Sequence, residues 1–274
     1  MSFLRSVRDL GAGDHACLVY DGADRRDELL LAFFEEGVRR GERLIYLDNG
    51  DVSEVVAQLE SLAAPGQLTV LPAEEAFLAD GEFRPDGVVA GWRAALEASS
   101  AGGGAAVRAA GTPPVALTCN GQSHDLVSYE RQAAELFDGA AFCALCAYDV
   151  RQTLPAALLG LVDAHPVVLY AVGLDDRLRV EASARELALR GWIDLTTLGS
   201  LVGPLSDAVA TDGDLEVDLR DVEFVDSAGW RLLSEAAGML GSRGRTLTIR
   251  SAPDWAASVL RILGYTDEGS MVLG

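Results

Sequence analysis

Two spacings of apolar residues alternate along the first two thirds of the chain. Short, nearly continuous apolar runs of strand length, such as residues 43–47 and 141–148, are typical of buried strands. Between these runs apolar residues recur every three or four positions, as at Leu30 and Phe33, which predicts helices. Because strands that alternate with helices form parallel sheets covered on both faces, we expect an α/β domain over residues 1–175.

A second, shorter pattern of the same kind begins near Val180. A strand at residues 186–190 and a helix at residues 195–209 precede the apolar run 217–225, VDLRDVEFV. A helix, a strand and a last helix follow this run. We therefore predict a smaller β/α domain over residues 180–274.

The run 217–225 leads directly into an acidic turn and the start of a helix. Asp226 and Ser227 lie where a helix prefers its cap, ahead of the apolar residues Trp230 and Leu233. A hydroxyl at a helix N-terminus is a favourable place for a phosphate group. Ser227 Oγ is thus a candidate functional atom, although the pair Asp226-Ser227 taken alone is equally an ordinary helix cap.

Three segments of this second domain occur in a recognisable order: GWID at residues 191–194, DLRDVEFVDSAG at residues 218–229, and LRILGY at residues 260–265. With them the domain resembles a STAS domain of the anti-sigma factor antagonist type. The resemblance implies that a partner anti-sigma kinase phosphorylates Ser227. It also implies that the neighbouring residues take part in partner binding, namely Asp226, Ala228, Gly229 and Trp230. Many relatives carry Ser or Thr in place of Ala228, and Trp230 could equally belong to the core.

The resemblance implies a partner switch. The unmodified turn would bind an anti-sigma factor and release its sigma factor. A phosphate on Ser227 would add a charge of about −1.5 to −2 beside Asp226 and oppose binding. The helix amides would allow the folded domain to accommodate that phosphate. The alternative is a scaffold of the same fold that does not switch.

Short motifs of the first domain carry a second resemblance. They are DHACLVY at residues 14–20, Gly41-Glu42 before the strand LIYLD, Tyr129-Glu130, CAYD at residues 146–149, and His165-Pro166. With these motifs the domain resembles the MEDS family of sensory domains. The resemblance implies a RecA- or KaiC-like parallel sheet whose nucleotide loop is lost, and a role in binding small organic signals.

All 22 basic residues are arginines, so the chain has no lysine for a Walker A loop. This agrees with a lost nucleotide loop, although a degenerate nucleotide-handling domain joined to a STAS docking module is the alternative function. His15 lies where the phosphate loop of a nucleotide-binding relative would be, at the strand ends where open α/β sheets bind ligands. The candidate ligand contacts are His15, Cys17, Tyr20 and Arg108. His15 could instead be a structural histidine, and Arg108 could pair with an internal carboxylate.

Metal binding is considered and not predicted. His15 and Cys17 could join other cysteines or histidines in a site. However, Cys143 and Cys146 lie three positions apart in one strand and so point to opposite faces, which prevents joint chelation. Buried cysteine is also a common core residue. We expect no metal and no other cofactor.

Composition limits the partners and the compartment. The net charge of −20 argues against nucleic acid and anionic membranes as partners. Four scattered cysteines do not form a secreted disulfide framework, and the N-terminus lacks the apolar core of a signal peptide. No apolar run is long enough to span a membrane. We expect a cytoplasmic protein, and a homodimer remains open.

Enzymatic motifs are absent from the sequence. It contains no GxSxG elbow, no HExxH pair and only three histidines. The sequence therefore predicts a non-enzymatic regulator in which a small-molecule sensor domain acts on an anti-sigma factor antagonist domain.

Overall fold

A computed structural model of the chain describes residues 6–50, 53–79, 81–101, 104–119, 122–173, 175–265 and 271–274. These residues form two compact units. The N-terminal unit takes the described residues of 1–153 and 161–171, and the C-terminal unit takes those of 154–160 and 172–274.

The N-terminal unit is built on a parallel sheet of six strands in the order β3-β2-β6-β7-β1-β8. The predicted α/β class is confirmed. A two-stranded antiparallel hairpin, β4 with β5, is an addition that the apolar pattern does not predict, because each of its strands has only two residues. The strands are β1 (His15–Tyr20), β2 (Arg43–Asp48), β3 (Leu68–Pro72), β4 (Leu78–Ala79), β5 (Glu82–Phe83), β6 (Val107–Gly111), β7 (Phe142–Asp149) and β8 (Val167–Ala171).

Helices connect these strands and cover the sheet. The first of them ends at Gly41, whose left-handed backbone (φ 70°) lets its amide hydrogen-bond the carbonyl of Val38, as a C-terminal glycine commonly does. The helices are α1 (Ala23–Arg40), α2 (Ser53–Leu62), α3 (Ala73–Phe77), α4 (Pro85–Ala101), α5 (Val115–Thr118) and α6 (Ser123–Ala133). A further helix, α7 (Pro155–Asp163), precedes β8 and is divided between the two units.

The two faces of the sheet differ in chemistry, and β7 shows the difference best. Alternate residues Cys143, Leu145 and Ala147 join the hydrophobic core that also contains Phe33 and Phe34 of α1. The residues between them point to the other face, where Cys146 belongs to a group of polar side chains. The predicted separation of Cys143 from Cys146 is confirmed. The α1 face is thus the apolar core, and the other face carries the polar chemistry.

The C-terminal unit contains a separate sheet of five strands in the order β13-β12-β11-β10-β9. Only β9 is antiparallel to its neighbour. The sequence pattern misses both edge strands, because β9 is largely exposed and β13 has only three residues. The elements are β9 (Leu178–Ala182), β10 (Glu186–Ile193), α8 (Leu198–Ala210), β11 (Leu215–Val225), α9 (Ser227–Ser242), β12 (Leu247–Arg250), α10 (Asp254–Ile262) and β13 (Met271–Leu273).

Candidate functional site

The polar face of the N-terminal sheet gathers five side chains from distant parts of the sequence. Strand β1 supplies His15, its parallel neighbour β7 supplies Cys146 and Tyr148, and α6 supplies Glu130. His165 comes from the turn after α7. Parallel pairing of β1 with β7 brings the two strand contributions together, and helix packing on the same face adds the carboxylate.

Glu130 lies at the centre of this polar cluster. Its Oε2 atom is 3.2 Å from His15 Nε2, 3.5 Å from His165 Nε2 and 3.8 Å from Cys146 Sγ. The hydroxyl of Tyr148 donates a hydrogen bond to the other carboxylate oxygen, Oε1. The carboxylate and both imidazoles are buried. A buried carboxylate of this kind persists only where donors or a cation compensate its charge.

The charge state of the cluster follows from burial and hydrogen bonding. Burial by itself raises the pKa of Glu130, but the interactions with His15 and His165 outweigh it and hold the pKa well below its usual range. Burial lowers the pKa of His15 and raises that of the Cys146 thiol well above its ordinary value. The cluster therefore contains a carboxylate anion, a neutral His15 and a protonated thiol near neutral pH.

The two histidine rings are held in different ways. His165 Nδ1 is 2.7 Å from the carbonyl oxygen of Leu161. A carbonyl only accepts, so Nδ1 carries a proton, and Nε2 faces Glu130. His15 stacks on Phe137, with centroids 4.4 Å apart and an angle of 11° between the rings. His15 Nδ1 and His165 Nε2 are buried without a hydrogen-bond partner among the described residues.

A small apolar pocket of about 40 Å³ adjoins the polar cluster on the same face of the sheet. His15, Glu130 and Cys146 line it at one side. On the sheet side, the small side chains of Ala109 and Ala144 leave space for the pocket. On the opposite side, aromatic residues of the covering helices enclose it, among them Trp92 and Tyr129. A largely apolar pocket with a few convergent polar groups is the usual form of a small-molecule site.

In the C-terminal unit, Asp226 is the N-cap of α9. One carboxylate oxygen accepts hydrogen bonds from the amides of Ala228 and Gly229, each 2.8 Å long. The other accepts from the Leu195 amide at 3.1 Å, which ties the helix start to the end of β10. Ser227 is the first residue of the helix and is exposed. Its hydroxyl makes no hydrogen bond within the described part of the chain.

An exposed apolar patch lies next to this turn. Trp192 and Phe224 are paired in register on β10 and β11, with their rings 5.5 Å apart. They are 43% and 44% exposed, and Leu195 is 39% exposed. Trp192 Nε1 donates to Glu223 at 3.0 Å. We call Trp192, Leu195 and Phe224 the Trp192 patch. Sequence reasoning did not single it out, since only the pairing of β10 with β11 joins its parts.

Each of the two units matches a known protein-family model. A family model described as MEDS, the methanogen/methylotroph, DcmR sensory domain, matches residues 14–166. The chain belongs to the MEDS family. A second model, described as the Mlab, STAS domain, matches residues 177–273. No curated protein matches the chain. Among the described residues, no helix has both the length and the apolar character needed to cross a bilayer.

Of the predicted ligand contacts in the MEDS unit, His15 alone lines the pocket. It is the first residue of β1, whereas Leu47 and Gly111, which also line the pocket, lie at the carboxyl ends of β2 and β6, so the pocket extends over the face of the sheet to these strand ends. Cys17 lies on the same face, opposite Cys146 in register, but is fully buried outside the pocket lining. Tyr20 was wrongly included, because strand alternation turns it into the α1 core.

Arg108 was also wrongly included as a ligand contact. It is fully buried on the α1 face, where Nε pairs with the Glu42 carboxylate and Nη2 donates to the carbonyl of Leu10 at 2.9 Å. Its guanidinium also lies over the Phe33 ring, 4.4 Å from the centroid. The partner of Arg108 is therefore an internal carboxylate, which is the alternative that the sequence analysis left open.

Two predicted partner contacts in the STAS unit are wrong for the same reason, which is burial. Trp230 is only 2% exposed and packs inside the unit. Gly229 is buried where a Cβ atom would lie 2.7 Å from Ile193 Cγ2, so its role is close packing of α9 on β10. Asp226 and Ala228 remain partly accessible.

Four members of the polar cluster were missed as site residues: Glu130, Cys146, Tyr148 and His165. A signal existed, because each lies in a short motif that carries the MEDS resemblance. Their separation in sequence concealed that they meet.

Proposed function

We propose that the chain is a non-catalytic regulator whose STAS unit binds an anti-sigma factor and is controlled by phosphorylation of Ser227. The observation that supports this most directly is the position of Ser227. It is exposed at the start of α9, directly after the carboxylate that fixes the helix to β10. A kinase can reach this hydroxyl without unfolding the domain.

The hydrogen bonds of Asp226 determine how a phosphate would act. The amides of Ala228 and Gly229 already donate to this carboxylate, so these two donors are not free to neutralise a phosphate. We therefore revise the expectation that helix amides accommodate the modification. The phosphate would add its charge of about −1.5 to −2 to that of Asp226 at the surface, and the effect on a docked partner would be repulsive.

The Trp192 patch is the surface we assign to the anti-sigma factor. Aromatic residues with a polar end are frequent energetic centres of protein interfaces. The patch is linked to the switch, because Leu195 donates its amide to Asp226 next to Ser227. A partner that covers the patch would therefore also meet the charge on Ser227.

We further propose that the MEDS pocket binds a small, largely apolar organic molecule. His15, Glu130 and Cys146 would provide its polar contacts, and the aromatic residues of the covering helices would enclose it. Ligand binding would then be the signal that biases the STAS unit.

Phosphorylation is tested with the full-length protein, ATP and the anti-sigma kinases of the host, followed by mass-spectrometric mapping. We expect a single phosphate on Ser227 and none on the Ser227→Ala variant. The variant's far-UV circular dichroism should match that of the parent protein, which excludes misfolding as the cause. Absence of phosphate from Ser227 with every kinase would contradict the switch.

Pocket binding is tested with a panel of small apolar compounds, such as benzene and short-chain alcohols, by ligand-observed NMR. We expect binding to fall at least about tenfold in Ala144→Leu, because the added side chain fills the pocket. Ala94→Leu, on the exposed side of α4, is the matched control and should bind like the parent protein. Equal binding by both variants would place the ligand elsewhere.

A further inference from the structure

The polar cluster contains the side chains of a transition-metal site. Two imidazole nitrogens, a thiol sulfur and a carboxylate oxygen from His15, His165, Cys146 and Glu130 all lie within 4.8 Å of one another. These ligand types come from four separate segments of the MEDS unit. A mixture of nitrogen, sulfur and oxygen donors is characteristic of zinc and related divalent ions.

The distances between donor atoms agree with a tetrahedron around one ion. Zinc bonds of about 2.0–2.3 Å place neighbouring ligand atoms about 3.3–3.6 Å apart. In the cluster, Glu130 Oε2 lies 3.2 Å from His15 Nε2 and 3.5 Å from His165 Nε2. Cys146 Sγ lies 3.7 Å from His15 Nε2 and 3.8 Å from Glu130 Oε2. The remaining two pairs of donor atoms, His165 with His15 and with Cys146, lie within 4.8 Å.

His165 gives an independent reason to place a cation here. Its Nδ1–H is committed to the carbonyl of Leu161, so Nε2 is the ring atom that faces the carboxylate, with Glu130 Oε2 3.5 Å away. Nε2 is buried without a hydrogen-bond partner among the described residues, and a buried polar atom needs a partner. A cation between Nε2 and Oε2 would bond both atoms. A histidine held by a backbone carbonyl is also the usual outer-shell arrangement of a metal ligand.

Tyr148 completes the arrangement. Its hydroxyl occupies Oε1 of Glu130 and leaves Oε2 directed at the histidines and the cysteine. Outer-shell donors of this kind orient ligating carboxylates. Three of the four ligating residues also line the apolar pocket.

From this geometry we infer that the MEDS unit binds one divalent transition-metal ion, with Zn²⁺ as the best fit, through His15, Glu130, Cys146 and His165. The sequence argument against a metal considered Cys143 together with Cys146, and that pair is still excluded. The ligands that meet Cys146 come instead from β1, α6 and the turn before β8.

The inference is tested on the full-length protein after dialysis against a chelator. Titration with Co²⁺ should give one equivalent bound, with thiolate-to-cobalt charge-transfer absorption and the visible bands of a tetrahedral ion. Zn²⁺ should displace the cobalt. Cys146→Ser should remove the charge-transfer band, and His165→Asn should weaken Zn²⁺ binding at least about 100-fold.

Two further variants distinguish the site from adventitious binding. Cys119→Ser changes an exposed cysteine outside the cluster and should leave both spectrum and affinity unchanged. Tyr148→Phe keeps all four ligands and should weaken Zn²⁺ binding about tenfold, so the site remains testable even if Cys146→Ser misfolds. A band that persists in Cys146→Ser, or that is lost in Cys119→Ser or Cys17→Ser instead, would overturn the assignment. So would a failure of the parent protein to bind one equivalent of cobalt.

Discussion

Replacing Arg108 by methionine is expected to lower the free energy of unfolding of the MEDS unit by about 3–5 kcal/mol. Arg108 is fully buried and pairs with Glu42, whose carboxylate would be left without its main cation. The carbonyl oxygen of Leu10 would lose a donor as well. A loss of this size is a large part of the stability of an ordinary domain, so partial unfolding at room temperature is expected. Urea denaturation followed by circular dichroism measures it.

Two variants establish that the buried charge causes this loss. Arg84→Met removes a pair in which both side chains are about two thirds exposed, and we expect it to cost less than about 1 kcal/mol. The double variant Glu42→Leu with Arg108→Met leaves no uncompensated charge and should regain much of the lost stability. If Arg108→Met unfolds at the same urea concentration as Arg84→Met, the structural role of Arg108 is wrong.

The second large effect is expected at Ser227. Replacing it with aspartate should weaken binding of the anti-sigma factor about 10–100-fold, which corresponds to about 1.4–2.7 kcal/mol. The new carboxylate lies beside Asp226, whose two oxygens already accept hydrogen bonds within the unit. A partner that docks there meets two like charges and must desolvate both. Isothermal titration calorimetry with the host's anti-sigma factors measures the change.

Matched variants separate this local effect from the addition of charge in general. Ser183→Asp introduces the same charge at another exposed serine, between β9 and β10, and should bind like the parent protein. Ser227→Ala removes only the hydroxyl and should also retain binding. Equal affinities for Ser227→Asp and Ser227→Ala would favour a scaffold that does not switch.

The sequence by itself predicted the α/β class and the two-part organisation, because both depend on local periodicity. A buried strand and an amphipathic helix each show their type within a dozen residues. The end of α1 at Gly41 and the N-cap of α9 at Asp226 could be predicted for the same reason, because local backbone geometry selects these residue types. The families were readable because their motifs are short and contiguous.

Local periodicity did not predict which face a single side chain points to or how deeply it is buried. Trp230 and the exposed Trp192 are both tryptophans beside the same turn, and only the packing of α9 against β10 separates core from surface. Tyr20 and Arg108 belong to the apolar core face although both looked suited to a ligand. A polar residue in a strand gives no local sign of whether its partner is internal.

What the sequence alone determined is therefore the main helices and the central strands, the two families and the acceptor candidate Ser227. The tertiary structure decided that His15, Glu130, Cys146 and His165 meet in one buried cluster beside an apolar pocket. Strand order in a parallel sheet brings β1 beside β7 although more than 100 residues separate His15 from Cys146. Such long-range contacts depend on how the whole chain packs, and no local pattern encodes them.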